Sequence, residues 1–282
     1  MTQSAAATFQ SNKWLFLLVI PLLAAAYATV LVGMAGQWSE DPNYSHGFLV
    51  PVISGWFLWQ RKDELLAAPV KPANSGLAVL LFGMVMLVAG IAGTEFFTMR
   101  TSFIVVLTGI VLYWFGWEVL KVAALPLGFL VFMVPLPYIV YDAMAFPLKL
   151  FVAKFSVGAL KEMGILVWRD GNIIQFPTLT LEVADACSGL RSLMSLLTLS
   201  VAYAFLFLKP LWTRLLIVLL VIPVAIFTNM LRVIVTGVLA NSYGAGVAEG
   251  FFHEFAGMAV FVLAMVMLVG AGVVLRKFGG KA

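Results

Sequence analysis

Eight times along its length the chain runs for about twenty residues with almost no charge, and this repetition limits the possible folds more than any motif. The runs fall at roughly 14–36, 44–60, 75–93, 102–120, 122–140, 188–208, 213–241 and 253–275. A hydrocarbon layer about 30 Å thick takes roughly 20 apolar residues per crossing helix. Only a helix or a closed barrel satisfies its backbone there, and runs of this length suit helices. Hydrophobic residues make up 63% of the 282, 11% are charged, and mean hydropathy is +1.06. A water-soluble domain of this size shows far more polar surface. The expected fold is an all-α polytopic membrane protein of about eight transmembrane helices, forming one integral membrane domain over 1–282. The first run follows Lys13 as a signal peptide would, but it is too long for a cleaved apolar core and has no clear small-residue cleavage motif. It is read as a retained helix.

Charge sets the expected orientation. Lys13, Arg61, Lys62, Lys71, Lys121, Lys209, Arg214, Arg276, Lys277 and Lys281 fall where an eight-crossing chain with its N-terminus inside meets the cytoplasm. The opposite ends hold five basic residues, Arg100, Lys149, Lys154, Lys161 and Arg169, and ten of the thirteen acidic ones. Positive-inside bias therefore puts both termini in the cytoplasm. The same rule accounts for the net charge of +4, so no nucleic-acid partner is expected. A single cysteine excludes an internal disulfide framework, and without a CxxC or Cys/His cluster no metal or cofactor is expected.

The longest outer segment, 141–187, carries structure of its own. "YDAMAFPLKLFVAKFSVGALKEMG" mixes lysines with Phe and Leu, as an amphipathic helix lying in the interface does. Asp170-Gly171 between two β-rich runs is a hairpin signal. "TLTLEVADAC" then alternates like a half-buried strand and ends at the lone cysteine. A small outer β element leading into Cys187 follows.

Polar side chains inside apolar runs are functional candidates, because lipid makes them costly. They are Cys187 with Arg191, Asn229 with Arg232, His253, and His46. Counted from the cytoplasmic anchors Lys209, Arg214 and Arg276, Cys187, Arg232 and His253 lie roughly 33, 27 and 35 Å up their helices. A thiol, a guanidinium and an imidazole thus reach one layer near the outer boundary. Ser188 can cap the helix that begins there, and helix N–H groups together with Arg191 would favour a thiolate. His253 can move the thiol proton to a leaving amine. Arg232 can hold an oxyanion or a carboxylate, with Asn229 on its face to orient either.

Plainer readings stand beside these. A lone membrane cysteine is ordinarily a packing residue. Arg232 can pair with Glu249 or Glu254, and His253 can anchor a helix end. His46 is read as a cap of the second helix in preference to a catalytic group. Gly257, Gly270 and Gly272 suit close helix approach. Three such readings would have to coincide at one depth by chance.

The blocks "ACSGLRSL", "NMLRV" and "FFHEF", in that order, together with "YSHGFLVP" and "LEVADACSG", resemble the exosortases, a family of bacterial polytopic membrane proteins related to archaeosortases. The likeness runs from about 44 to 275. It implies a cysteine protease or transpeptidase acting on membrane-anchored proteins with a C-terminal sorting signal: a Pro-Glu-Pro motif, a transmembrane helix and a basic tail. By match, Cys187 resembles the nucleophile, His253 the acid–base group and Arg232 the transition-state or carboxylate residue. The resemblance also implies an inner membrane, a periplasmic active site and a link to exopolysaccharide export. No further periplasmic domain is expected beyond the eighth crossing. A transporter, an acyltransferase using His253, or a non-catalytic scaffold of a polysaccharide export system are the alternatives. The transporter reading predicts matching interrupted halves, which the sequence lacks.

Overall fold

The computed structural model of the chain describes residues 13–177, 179–183, 190–244 and 251–278. These are helical apart from connections and one small sheet. Seven helices among them are long and apolar enough to cross a membrane. They are α1 (Lys13–Glu40), α4 (Ser75–Ala92), α5 (Phe96–Phe115), α7 (Tyr138–Glu162), α8 (Leu190–Phe207), α9 (Leu211–Tyr243) and α10 (Phe251–Phe278). Three shorter helices complete the set: α2 (Leu49–Gln60), α3 (Lys62–Ala67) and α6 (Trp117–Phe129).

The expected crossings 44–60 and 122–140 take a different form from the rest. The first is the 3₁₀ turn Ser45–Phe48 run into α2, and the second is α6 run into the 3₁₀ turn Leu130–Met133. With the extra rise of the 3₁₀ residues, each reaches roughly 26–28 Å. The segment read as an interfacial helix is one continuous 25-residue helix, α7, and it also meets the length and hydropathy of a span.

The chain divides into two compact units, residues 1–137 and 138–282. In the first, α4 and α5 are the tightest pair, because glycines remove the side chains between them. A methyl group on Gly83 or Gly90 would come within 2.7 Å of Val106 or Met99, and one on Gly76 or Gly109 would meet the partner's backbone. Glu95 starts α5 by accepting from the N–H groups of Phe97 and Thr98, which satisfies two of the donors a helix start leaves open. Gly116 ends it at φ +85°, with the Lys71 carbonyl where a Cβ would sit. Helix α1 joins through Tyr27, whose hydroxyl meets Ser102 Oγ at 2.9 Å and whose ring packs edge-on to Phe103.

Helices α2 and α6 pack through Phe57 and Phe129. Pro126 inside α6 has no N–H to give the Val122 carbonyl, and Arg61 Nη1 reaches that carbonyl instead at 3.4 Å. Leu130 N–H turns to Leu127 and Gly128, and the Pro126 carbonyl accepts from Ser54 Oγ at 2.7 Å. Helix irregularity inside an apolar layer is thus satisfied by neighbours, as it must be there.

The second unit has two apolar centres. One joins α8, α9 and α10 through Leu196, Ala204, Ile217, Val221, Ala225, Ala264 and Leu268. The other joins α7 to the sheet and to α9 through Val152, Val157, Leu160, Ile174, Phe176, Val183 and Val233. The sheet is an antiparallel meander of β1 (Trp168–Asp170), β2 (Ile173–Gln175) and β3 (Thr180–Glu182). Asp170 faces Ile173 across the two-residue loop Gly171-Asn172, and only Gly171 takes positive φ, +61°. Glycine at the first loop position matches a type II′ hairpin. The expected β element is therefore present, in front of α8.

Candidate active site

Each candidate residue of the second unit belongs to, or directly precedes, one of three mutually packed helices. Cys187 and Ser188 lie outside the described residues, three and two positions before α8 begins at Leu190. Arg191 stands in the first turn of α8 and is half-buried. Asn229 and Arg232 sit on α9, the first buried at 3% exposure and the second half-buried. His253 is in the first turn of α10 by its backbone, and its side chain lies outside the described part. Glu249 and the Glu254 side chain, the alternative partners of Arg232, are outside it as well.

Arg232 gives the site its measurable geometry. Its guanidinium lies over Gly257 of α10, where a Cβ built on that glycine would stand 3.4 Å from Nη2 and 3.5 Å from Cζ. Gly257 is four residues after His253 in the same helix. Positions four apart share a helix face, so the guanidinium meets α10 one turn along the face that carries position 253. The separation is roughly 6 Å along the axis. The depths agree with this. Gly257 is 19 residues before Arg276 and Arg232 is 18 after Arg214, roughly 27–29 Å each.

The opposing helix therefore offers the guanidinium a bare backbone patch instead of a side chain. A cation so placed, half-buried in an apolar helix cluster, interacts with developing negative charge more strongly than it would in water. The next residue, Val233, belongs to the apolar centre that holds the sheet, so the α9 backbone at this level is fixed from both sides.

Of the three glycines expected to bring helices close, Gly257 does so toward a charged group. Gly272 receives the Tyr203 ring of α8, with ring atoms where a side chain would stand. Gly270 has nothing within 4 Å of a built Cβ, so that expectation does not hold there. The role of Gly257 as the seat of Arg232 was not read from the sequence. Its one sequence signal is the i+4 spacing from His253.

His46 belongs to the first unit. It lies within the 3₁₀ turn Ser45–Phe48, and its side chain bonds the backbone of Phe132 and Asn43. The residue flanking α2 is Phe48, which has no capping side-chain bond. His46 therefore ties the turn to 132 and does not cap the second helix. The reason is packing: Gly47 is pressed against the Trp38 indole, whose Nε1 donates to the Met133 carbonyl at 2.9 Å, and this draws the turn toward 130–133.

A family model of transmembrane exosortases matches residues 38–270, a stretch that includes all seven candidate positions. No curated protein and no solved structure matches the chain.

Proposed function

Because the chain belongs to the transmembrane exosortase family, we propose that it is a membrane-embedded cysteine transpeptidase or protease. Its substrates are exported proteins that end in a short Pro-Glu-Pro motif, a transmembrane helix and a basic tail. The observation that carries this reading is the placement of Arg232 on Gly257, one helical turn from position 253, in the helix cluster that begins just after Cys187.

The proposed cycle uses only side chains of this chain. Cys187 gives its thiol proton to His253 and attacks a backbone carbonyl near the motif. Arg232 donates hydrogen bonds to the oxyanion that forms. The tetrahedral species collapses, the C–N bond breaks, and His253 returns the proton to the departing amine. The product is a thioester on Cys187, which water or an amine then resolves with His253 as base. Arg191, in the first turn of α8, favours the thiolate. Asn229, buried one turn before Arg232, orients the guanidinium. The substrate helix docks in the surrounding lipid. Ten basic residues at one set of ends support cytoplasmic termini, with the site facing the periplasm of an inner membrane.

Co-expression with a protein bearing such a tail tests this directly. The wild type is expected to shorten the C-terminus, and Cys187→Ala, present in the membrane at equal amount, to leave it intact. Processing that persists in the variant would falsify the thiol mechanism.

A further inference from the structure

The sheet ends in an edge whose hydrogen-bonding groups face outward. Phe176 N–H donates to the Leu179 carbonyl, and Val183 N–H to that of Asn172. Bonded and unbonded pairs alternate along an antiparallel ladder, so Leu181 opposite Ile174 is also bonded. Thr180 and Glu182, opposite Gln175 and Ile173, therefore turn their N–H and C=O groups away from β2. Both are exposed, and no described residue bonds to that edge. The edge is held firmly from behind: Leu179 and Leu181 pack against the apolar centre that contains Val183 and Val233, the neighbour of Arg232.

Natural sheets commonly guard an open edge with charge, proline or a bulge. The other edge of this sheet has such a guard. Alternation turns the backbone of Arg169 outward on β1, and its guanidinium folds over to the Gly171 carbonyl at 2.8 Å. β3 has no proline and no bulge, and its one charge, Glu182, accepts from Asn172 Nδ2 at 3.3 Å. Cys187 stands five positions after Glu182, a reach of at most about 18 Å.

We propose that the outer edge of β3 takes the substrate's sorting motif as a fourth strand, so that backbone pairing at Thr180 and Glu182 delivers the scissile bond to Cys187. The proposal rests on the transpeptidase reading above and names how that enzyme recognises its peptide. Strand addition reads backbone, with side chains selected at every second position. A motif with proline on both sides of one residue suits a short edge. The central residue keeps the N–H and C=O that pair with β3, and the prolines fall at positions where no donor is needed.

Proline scanning of the two edges tests it, with processing of the co-expressed tail as readout. Thr180→Pro removes an outward N–H and leaves the β2 ladder its donors. It is expected to slow processing about tenfold, the worth of roughly one hydrogen bond, while alkylation of Cys187 by N-ethylmaleimide is unchanged. Arg169→Pro, on the opposite edge, is expected to process at the wild-type rate. Wild-type processing by Thr180→Pro overturns strand addition and leaves the thiol mechanism standing.

Disulfide trapping in a Cys187→Ala background gives a second arm, independent of turnover and of the proline variant's folding. Single cysteines at 180 and 182 are expected to capture substrate cysteines two positions apart, and one at 181 to capture none. Capture without that alternation overturns the proposal. If the wild type processes no tail while the alternating capture appears, the edge reading stands and the transpeptidase reading falls.

Discussion

At the scale of single residues, Arg232 shows how a missing side chain places a present one. Its guanidinium rests where Gly257 has only hydrogen, 3.4 Å from the position a Cβ would take. That is ordinary contact distance, so Gly257→Ala is expected to leave most processing intact. Gly257→Leu puts branched carbon into the guanidinium's place and is expected to lower processing at least tenfold, since each tenfold corresponds to about 1.4 kcal/mol of lost transition-state stabilisation. Processing rate at matched membrane abundance checks the pair, and a Leu variant as active as wild type would detach Arg232 from its seat. Arg232 and Asn229 were legible in the sequence because polar groups stand out in an apolar run. Gly257 was legible only as a small residue, since nothing in one helix announces which side chain of another will lie over it. His46 shows the opposite case. Its polarity was visible, but one of its hydrogen bonds runs to Phe132, 86 positions away, which no local pattern encodes.

Among elements, the α4–α5 pair is set by spacing more than by composition. Gly76, Gly83 and Gly90 recur every seven residues and face Tyr113, Val106 and Met99, which recur every seven in the opposite direction. Lipid tails are as apolar as leucine, so helices in a bilayer gain little from burying apolar surface and associate through close contact. Removing side chains at every second turn provides that contact. Gly83→Leu is expected to force the pair apart and cost about 1–3 kcal/mol or more, read as a lower unfolding temperature in detergent. An unchanged temperature would mean the glycines are incidental to the pairing. The heptad of glycines is visible in the sequence, but the side chains it faces on α5 are not. The 3₁₀ ends of 45–60 and 117–133 were not visible, because they depend on where Pro126, Ser54 and Arg61 find partners after packing.

For the whole molecule, sidedness is the property that most needs a measurement. Seven described helices meet the length of a span, and 45–60 and 117–133 fall just short of the usual count. Charge placement still separates ten basic residues from five. The lone cysteine is a natural probe of this. A membrane-impermeant maleimide added to intact spheroplasts is expected to label Cys187, and Cys187→Ala to remove all labelling. Labelling that requires opening the cytoplasmic side would invert the proposed orientation. The sequence by itself determined that the chain is a multi-pass helical membrane protein, that a β element precedes the cysteine, and that it is of the exosortase kind. Those properties reside in run length, residue alternation and ordered short blocks, all of which are local. Tertiary structure alone decided that Arg232 is seated on Gly257, that α8, α9 and α10 form one cluster, and that no described residue pairs with the outer edge of β3 while Arg169 folds over that of β1. The physical reason is that contact between helices depends on rotation and depth, and an edge is open only once every other strand has found its neighbour.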